Sequence, residues 1–481
     1  MESIFKKLSS RPQLSIICLG LLLLLAGNWI LPLTDRDEAR FGEASREMIQ
    51  RSDYIVPWFN GAWRLYKPVG VYWSQIASYQ VFGINDFTAR LPSALYTIGA
   101  ALILVRWGRK TTDAKTGFIA GAMFLAGLHV VVIGRIATAD PMLFFFFTLT
   151  TWSGWELTRP QQPSRWKWWW TFYLALGLGF LAKGPEAWLP LGVMVLGRIL
   201  RKNSFRLPVL ETVAGLIIPL GMVATWGIPA LKETHGAFWS VGMNEQVYQR
   251  AVDVNNGHGL SGIVGFLLPM PVYFLTFFVS FFPWSTRVPG ALRRWWPGRQ
   301  NDDLGWYLLM VAALVFIVFT LVKTKLPHYT IPAFPLISLW LARQISSDAQ
   351  LPAWFVKRLA AVTVFILVLT LGVFSYARGS LLTLNLWQAT RPYVKPETKI
   401  GCFGYIEPSL VWKFRSVATN TIVLGDETLA TNFLTNTPPY ILVLPTADLS
   451  QLPNLGGQRI EVHGFDMVKF KNWNLTAIVQ Q

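Results

Sequence analysis

Long blocks of apolar residues, each about the length needed to cross a bilayer, constrain this chain more than any other feature. A spanning helix needs roughly 20 mostly apolar residues. By that rule the sequence offers about eleven candidates, near residues 13–33, 86–105, 117–134, 140–157, 167–182, 185–200, 207–230, 262–285, 304–322, 328–342 and 354–377. Only 14% of the residues are charged, 52% are hydrophobic and the mean hydropathy is +0.38, which excludes an ordinary soluble domain. The expected fold class is therefore a polytopic α-helical membrane protein. Pro185, Pro190, Pro219, Pro229, Pro332 and Pro335 lie within or beside these blocks and soften their edges. Lys6, Lys7 and Arg11 precede the first block. Its apolar run is longer than that of a signal peptide and no small-residue cleavage site follows, so it is expected to stay attached as a helix.

The basic residues set the orientation. With the N-terminus inside, the clusters Arg106/Arg109/Lys110, Arg159/Arg165/Lys167, Arg198/Arg201/Lys202/Arg206, Arg293/Arg294/Arg299 and Arg343/Lys357/Arg358 all fall on one side. This accounts for the net charge of +17 through anionic lipid rather than nucleic acid. The opposite loops mix acids, cations and aromatics: "DRDEAR" with "RLYKPVGVYW", "RIATADP", "AKGPEAW", the long loop 231–262 and "VKTKLPHY".

Beyond the last block, residues 385–481 alternate strand-like runs ("KIGCFGY", "TIVLGD", "YILVLP", "RIEVHGF") with helical stretches such as "EPSLVWKF", the pattern of a small α/β domain outside the membrane. Residues 1–380 form the membrane domain, with outer loops 34–85 and 231–262. Cys18 and Cys402 are the only cysteines and provide no disulfide framework. There is no internal repeat, glycine-rich phosphate loop or Cys/His metal spacing.

Three of the four residues 35–38 are acids, at the end of the first apolar block. Asp35 and Glu38 fit a capping box, and acids in a first turn suit a helix dipole. Phe41, Ala44 and Met48 share one face, with Arg36, Arg40, Glu43 and Glu47 on another, so a helix lying along the membrane surface is expected. Asp37 heads the apolar face, where a buried carboxylate must be paired or used. Lys67, Asp140 with Arg135, Lys183, and Lys323 and Lys325 with His328 border other spans on the same side. Singly, each suits an interfacial residue reaching for water. Together they supply what transfer from a lipid-linked phosphate needs: a carboxylate to activate an acceptor and cations to hold the departing phosphate.

The ordered series "DRDEARFGEASREM", "RLYKPVGVYW", "NDFTARLPSAL", "RIATADPML", "FLAKGPEAWLP", "NEQVYQR", "VKTKLPHYTIPAFP" and "YIEPSLVWKF" resembles the bacterial aminoarabinose transferase and protein mannosyltransferase-like glycosyltransferases of the C-type membrane fold. The resemblance covers nearly the whole chain. It implies about 11–13 transmembrane helices and inverting transfer from a polyprenyl-phosphate sugar to a lipid, glycan or protein, on the outer face of a bacterial inner membrane. By that resemblance Asp37 is the base, Glu38 its neighbour and Asp140 a supporting acid. Lys67 holds the donor phosphate, with Lys183, Lys325, Arg40 and Arg46 as further cations. Tyr66, Lys323, His328, Glu245 and His258 are additional candidates. The aminoarabinose branch has a glutamate, a potential metal ligand, where this chain has Tyr66, and the scheme requires no metal or other cofactor. A transporter of an anionic lipid or solute, with an outward cationic vestibule, is the alternative; such proteins usually show repeats and midplane polar sites.

Overall fold

The computed structural model describes residues 11–159, 162–200, 208–249, 271–345, 351–426, 430–434, 437–451 and 456–481. It divides into two compact units.

The first unit comprises residues 1–26, 65–74 and 91–366 and is built from helices. Among the described residues, Asp86–Thr111, Leu210–Glu233, Asp303–Leu321 and Ala353–Ser380 are long and apolar enough to cross a membrane. Ala114–Leu125 and Leu128–Arg135 make a fifth candidate, bent by 67°. Other expected spans form shorter or more polar helices: Pro12–Leu25 (14 residues), Asp140–Thr158 and Arg165–Lys183 (19 each). The blocks at 185–200 and 328–342 each begin as a 3-10 helix, Pro185–Trp188 and Pro327–Ala333, where proline removes an N–H that a longer α-helix needs. The block at 262–285 is described from residue 271 onward, where Val272–Ser280 is helical.

A large apolar cluster including Trp107, Trp284 and Trp340 forms the core of this unit, with a smaller one around Met142, Leu143, Phe146 and Ala182 beside Asp140 and Lys183 in sequence. Small residues let the backbones approach. A Cβ on Gly117 would lie 2.3 Å from the Val105 carbonyl oxygen, and one on Gly70 would lie 2.7 Å from that of Leu181. Arg135, at the end of its helix, donates to the Leu23 and Ala26 carbonyls at 2.7 and 2.9 Å. It thereby satisfies the exposed end of Pro12–Leu25.

The second unit gathers residues 27–64, 75–90 and 367–481. Its sheet contains β3 (Lys399–Phe403), β4 (Val423–Gly425), β5 (Tyr440–Pro445), β6 (Gln458–Asp466) and β7 (Lys471–Gln480), in the order β4-β3-β5-β7-β6. The strands β4, β3 and β5 run parallel, and β7 and β6 complete the sheet antiparallel. Parallel neighbours need a crossover. Helix Pro408–Phe414, between β3 and β4, contributes to it and buries Leu410, Val411 and Phe414. All six residues of β5 are buried, as expected of a central strand covered on both faces.

Helix Asp37–Arg51 also belongs to this unit. Asp37 and Glu38 occupy its first turn, and Ser52 ends it in the left-handed conformation, donating its N–H to the Ile49 and Met48 carbonyls. The expected apolar face is buried at Phe41, Ala44 and Met48. Of the expected polar face, Arg36 is exposed and Arg40 half-buried, but Glu43 and Glu47 are buried, and so is Arg46. This is therefore an interior helix rather than one lying on a membrane surface. Partners distant in sequence make that possible. Arg46 reaches Glu43 and donates to the Trp412 carbonyl at 3.1 Å, and Arg415 lies 3.5 Å from Glu43. Glu47 accepts the N–H groups of Asn60 and Gly61, in the turn joining the two-residue strands β1 (Trp58–Phe59) and β2 (Ala62–Trp63).

Candidate functional site

In the second unit the three acids at 35–38 have separate fates. Asp37 is exposed at the head of its helix, contrary to the buried position that its place on the Phe41, Ala44, Met48 face predicts. Glu38 is buried and forms a two-pronged ion pair with Arg90: Nε to Oε1 at 2.7 Å and Nη2 to Oε2 at 2.8 Å. It also accepts the N–H and hydroxyl of Thr34 at 3.0 and 2.6 Å. Burial works to raise the Glu38 carboxyl, but Arg90 and Thr34 hold it below the usual carboxylate range. Glu38 is therefore held as an anchor, whereas Asp37 is open to solvent.

Arg90 spends its remaining donors on the Asn28, Leu31 and Pro32 carbonyls at 2.8–2.9 Å, fixing the stretch that leads to Asp37. Asp35 accepts the Ser409 N–H and hydroxyl rather than capping its helix. Arg46 is buried, with its guanidinium 4.7 Å from the Trp412 ring centroid. Already committed to Glu43 and a carbonyl, it does not present a free cation to phosphate as expected. Arg40 is half-buried.

In the first unit, helices Asp140–Thr158 and Arg165–Lys183 pack side by side, bringing the head of one to the end of the other. Lys183 Nζ lies 2.8 Å from Asp140 Oδ1 and 3.2 Å from Glu186 Oε1, and 5.1 Å from the Tyr329 ring centroid. Lys183, His328 and Lys67 together shape the electrostatic environment of Asp140. Lys67 and His328 are half-buried. The close contact of Gly70 with the Leu181 carbonyl seats the "YKPVG" turn against the helix that ends in Lys183.

Lys325 behaves differently from the expected phosphate ligand. Its ammonium donates to the Phe319 carbonyl at 3.0 Å and also to those of Thr320 and Val322, satisfying the end of Asp303–Leu321. Lys323 is half-buried, and Tyr66 and Glu245 are exposed. His258 lies outside the described residues. Among those residues no group of three or more His, Cys, Asp or Glu side chains is placed to hold a metal ion.

Sequence reasoning missed Arg90, Glu186 and Tyr329. Arg90 carried a usable signal, because an arginine within an apolar span is costly unless paired. It sits inside the quoted "NDFTARLPSAL". His129 was missed too; its Nδ1 lies 3.0 Å from the Ser280 hydroxyl.

The fold is that of the C-type membrane glycosyltransferases. The crystal structure of ArnT from Cupriavidus metallidurans, bound to undecaprenyl phosphate, matches with a TM-score of 0.75 at 16% identity, covering 96% of this chain and 97% of that one. An archaeal oligosaccharyltransferase, AglB from Archaeoglobus fulgidus, matches with a TM-score of 0.51 at 12% identity, over 88% of this chain and 65% of that one.

Sequence comparisons narrow the class. Residues 14–229 match the model of the dolichyl-phosphate-mannose-protein mannosyltransferase family. The undecaprenyl phosphate-alpha-4-amino-4-deoxy-L-arabinose arabinosyl transferase of Pectobacterium carotovorum is 29% identical over 73% of this chain and 61% of its own length. A second such transferase, from Sodalis glossinidius, is 31% identical over 68% and 59%. The chain is thus a relative of the aminoarabinose transferase and protein mannosyltransferase-like glycosyltransferases that its motifs resemble, and it spans about three-fifths of the length of these curated relatives.

Proposed function

We propose that this multi-pass membrane protein is an inverting glycosyltransferase, moving a sugar from a polyprenyl-phosphate donor to a lipid, glycan or protein acceptor at the outer face of a bacterial inner membrane. The observation that carries this reading is the contrast between two adjacent acids: Glu38 is locked by Arg90, leaving Asp37 as the reachable carboxylate at the head of an anchored helix.

In this scheme Asp37 takes the proton from the acceptor hydroxyl as its oxygen bonds to the anomeric carbon. The bond from that carbon to the phosphate oxygen breaks, and polyprenyl phosphate leaves with the electron pair. A phosphate leaving group needs cations rather than a general acid. The motif resemblance assigns that role to Lys67, with Arg40 as a further cation. Asp140 and Glu186 hold Lys183 in place, so it contributes mainly to the local field. No step draws on a metal or other cofactor.

The test uses purified full-length protein, polyprenyl-phosphate sugars and membrane lipid extract, with mass spectrometry of polyprenyl phosphate and glycosylated product. Asp37→Asn is expected to lower turnover at least 100-fold while melting like the parent, since general-base catalysis contributes about 10²- to 10⁴-fold. Parental turnover by Asp37→Asn would overturn the assignment of the base. Donor flux across liposomes with no sugar release would replace transfer with transport.

A further inference from the structure

The second unit contains a cavity of about 40 Å³ lined by none of the residues given a step in the transfer proposed above. Pro32, Leu33, Leu381, Leu382, Leu384, Phe465 and Met467 give it apolar walls. Thr34, Asp35, Thr383, Tyr405, Ser409, Lys413 and Asp466 complete its lining. A space of this size is ample for a small polar group such as a water molecule or an ammonium head.

The polar side chains are arranged as acceptors. Asp466 is 3% exposed. Its Oδ1 accepts the N–H groups of Val468 and Lys469 at 2.7 and 3.1 Å, while its Oδ2 is buried with no hydrogen-bond partner. A buried carboxylate oxygen without a donor is expensive, which points to a donor absent from the protein itself. The hydroxyls of Tyr405, Thr383 and Ser409 form a chain with 3.0 Å links, ending on Asp35.

The neighbouring cations are engaged elsewhere. Lys413 Nζ lies 2.7 Å from Asp86, and Arg36 and Lys469 flank Glu407 at 3.6 and 3.8 Å. Asp35 and Asp466 thus line one cavity with no ion pair to either among the described residues.

We infer that this cavity is a binding site for a primary ammonium group, held by Asp466 Oδ2, Asp35 and the Thr383–Tyr405 hydroxyls. An ammonium carries three donors and no acceptor, matching a pocket whose unmet need is a donor. A divalent metal is the poorer occupant, because the described acids do not assemble into a ligand set.

Occupancy is coupled to a proton. Burial, together with the nearby Glu407 and Asp466 carboxylates, raises Asp35 to about 7 against the hydrogen bonds from Ser409. A bound cation favours the ionised form, so binding releases a proton and weakens up to about tenfold per pH unit below that value.

The experiment measures melting temperature of the full-length protein in detergent against methylammonium chloride, with tetramethylammonium and potassium chloride at equal ionic strength as comparisons. Methylammonium is expected to raise the melting temperature saturably, more at pH 8 than at pH 6. Tetramethylammonium, bulky and without N–H donors, is expected to leave it unchanged. Asp466→Asn keeps the Oδ1 acceptor for the turn and should abolish the response; Asp35→Asn should abolish its pH dependence. An equal response to potassium or tetramethylammonium would overturn the inference, as would an undiminished response in a folded Asp466→Asn protein. If Asp466→Asn does not fold, retention of the full response and its pH dependence in Asp35→Asn overturns it instead. Because the readout is stability, its outcome is separate from that of the transferase assay.

Discussion

Replacing Arg90 with alanine tests whether the reachable acid is held in position by the buried one. The guanidinium makes five hydrogen bonds at 2.7–2.9 Å: two to Glu38 and one each to the Asn28, Leu31 and Pro32 carbonyls. Both side chains of the ion pair are at most 4% exposed. Removing one partner of such a pair strands a buried charge and costs about 3–5 kcal/mol. Arg90→Lys keeps the charge but loses the planar fork, so it should recover only part of the stability. In Arg90→Met/Glu38→Leu neither charge remains, and most of the loss should disappear even though the carbonyls lose their donor. The assay is denaturation of the detergent-solubilised protein for Arg90→Met, Glu38→Leu and the double, which together yield the coupling energy directly. Sugar release measured alongside should show kcat falling in Arg90→Lys with little change in donor KM, because Asp37 is displaced and the phosphate cations are not. A coupling energy below about 1 kcal/mol, the range of exposed pairs, would refute the reasoning.

Two further predictions follow from the packing and the titrating groups. Gly70→Ala sets a Cβ 2.7 Å from the Leu181 carbonyl oxygen, so the Lys67 turn must move; a destabilisation of about 1–3 kcal/mol and a several-fold rise in donor KM are expected from melting and kinetics. Asp35 retains its proton to about pH 7 when folded but only to about 3.8 when unfolded. From pH 4 to 7 the unfolded chain therefore binds fewer protons, and this group's contribution to stability is full below pH 4 and lost above 7. Asp35→Asn should flatten that part of the stability–pH curve; an unchanged slope would count against a raised Asp35.

Much of the architecture was legible in the sequence because it rests on local pattern. "KIGCFGY", "TIVLGD", "YILVLP" and "RIEVHGF" became β3, β4, β5 and β6, and "EPSLVWKF" became helix Pro408–Phe414. Helix Asp37–Arg51 and its buried Phe41, Ala44 and Met48 were likewise readable from periodicity. What misled was charge. Glu43 and Glu47 have the spacing of a solvated face, yet their partner Arg415, like the Trp412 carbonyl that neighbouring Arg46 reaches, lies in the tail, and no periodic pattern reports such a pairing. The same limit hid the difference between Asp37 and Glu38, since only the position of Arg90 distinguishes them. Lys183 and Asp140 were both found as candidates, but not as each other's partner 43 residues away.

The interior position of helix Asp37–Arg51 has a consequence for biosynthesis. Arg46 reaches a carbonyl 366 residues downstream. Asn60 meets both the N–H and the carbonyl of Ile422 through its side-chain amide, beside the edge strand β4. At about 5–20 residues per second, roughly 20–70 s separate synthesis of the helix from synthesis of those partners. During that interval its charged groups remain open to water or to a chaperone. The first loop therefore matures last, and a chain truncated before Trp412 should stay protease-sensitive between residues 37 and 64 while its later spans are protected.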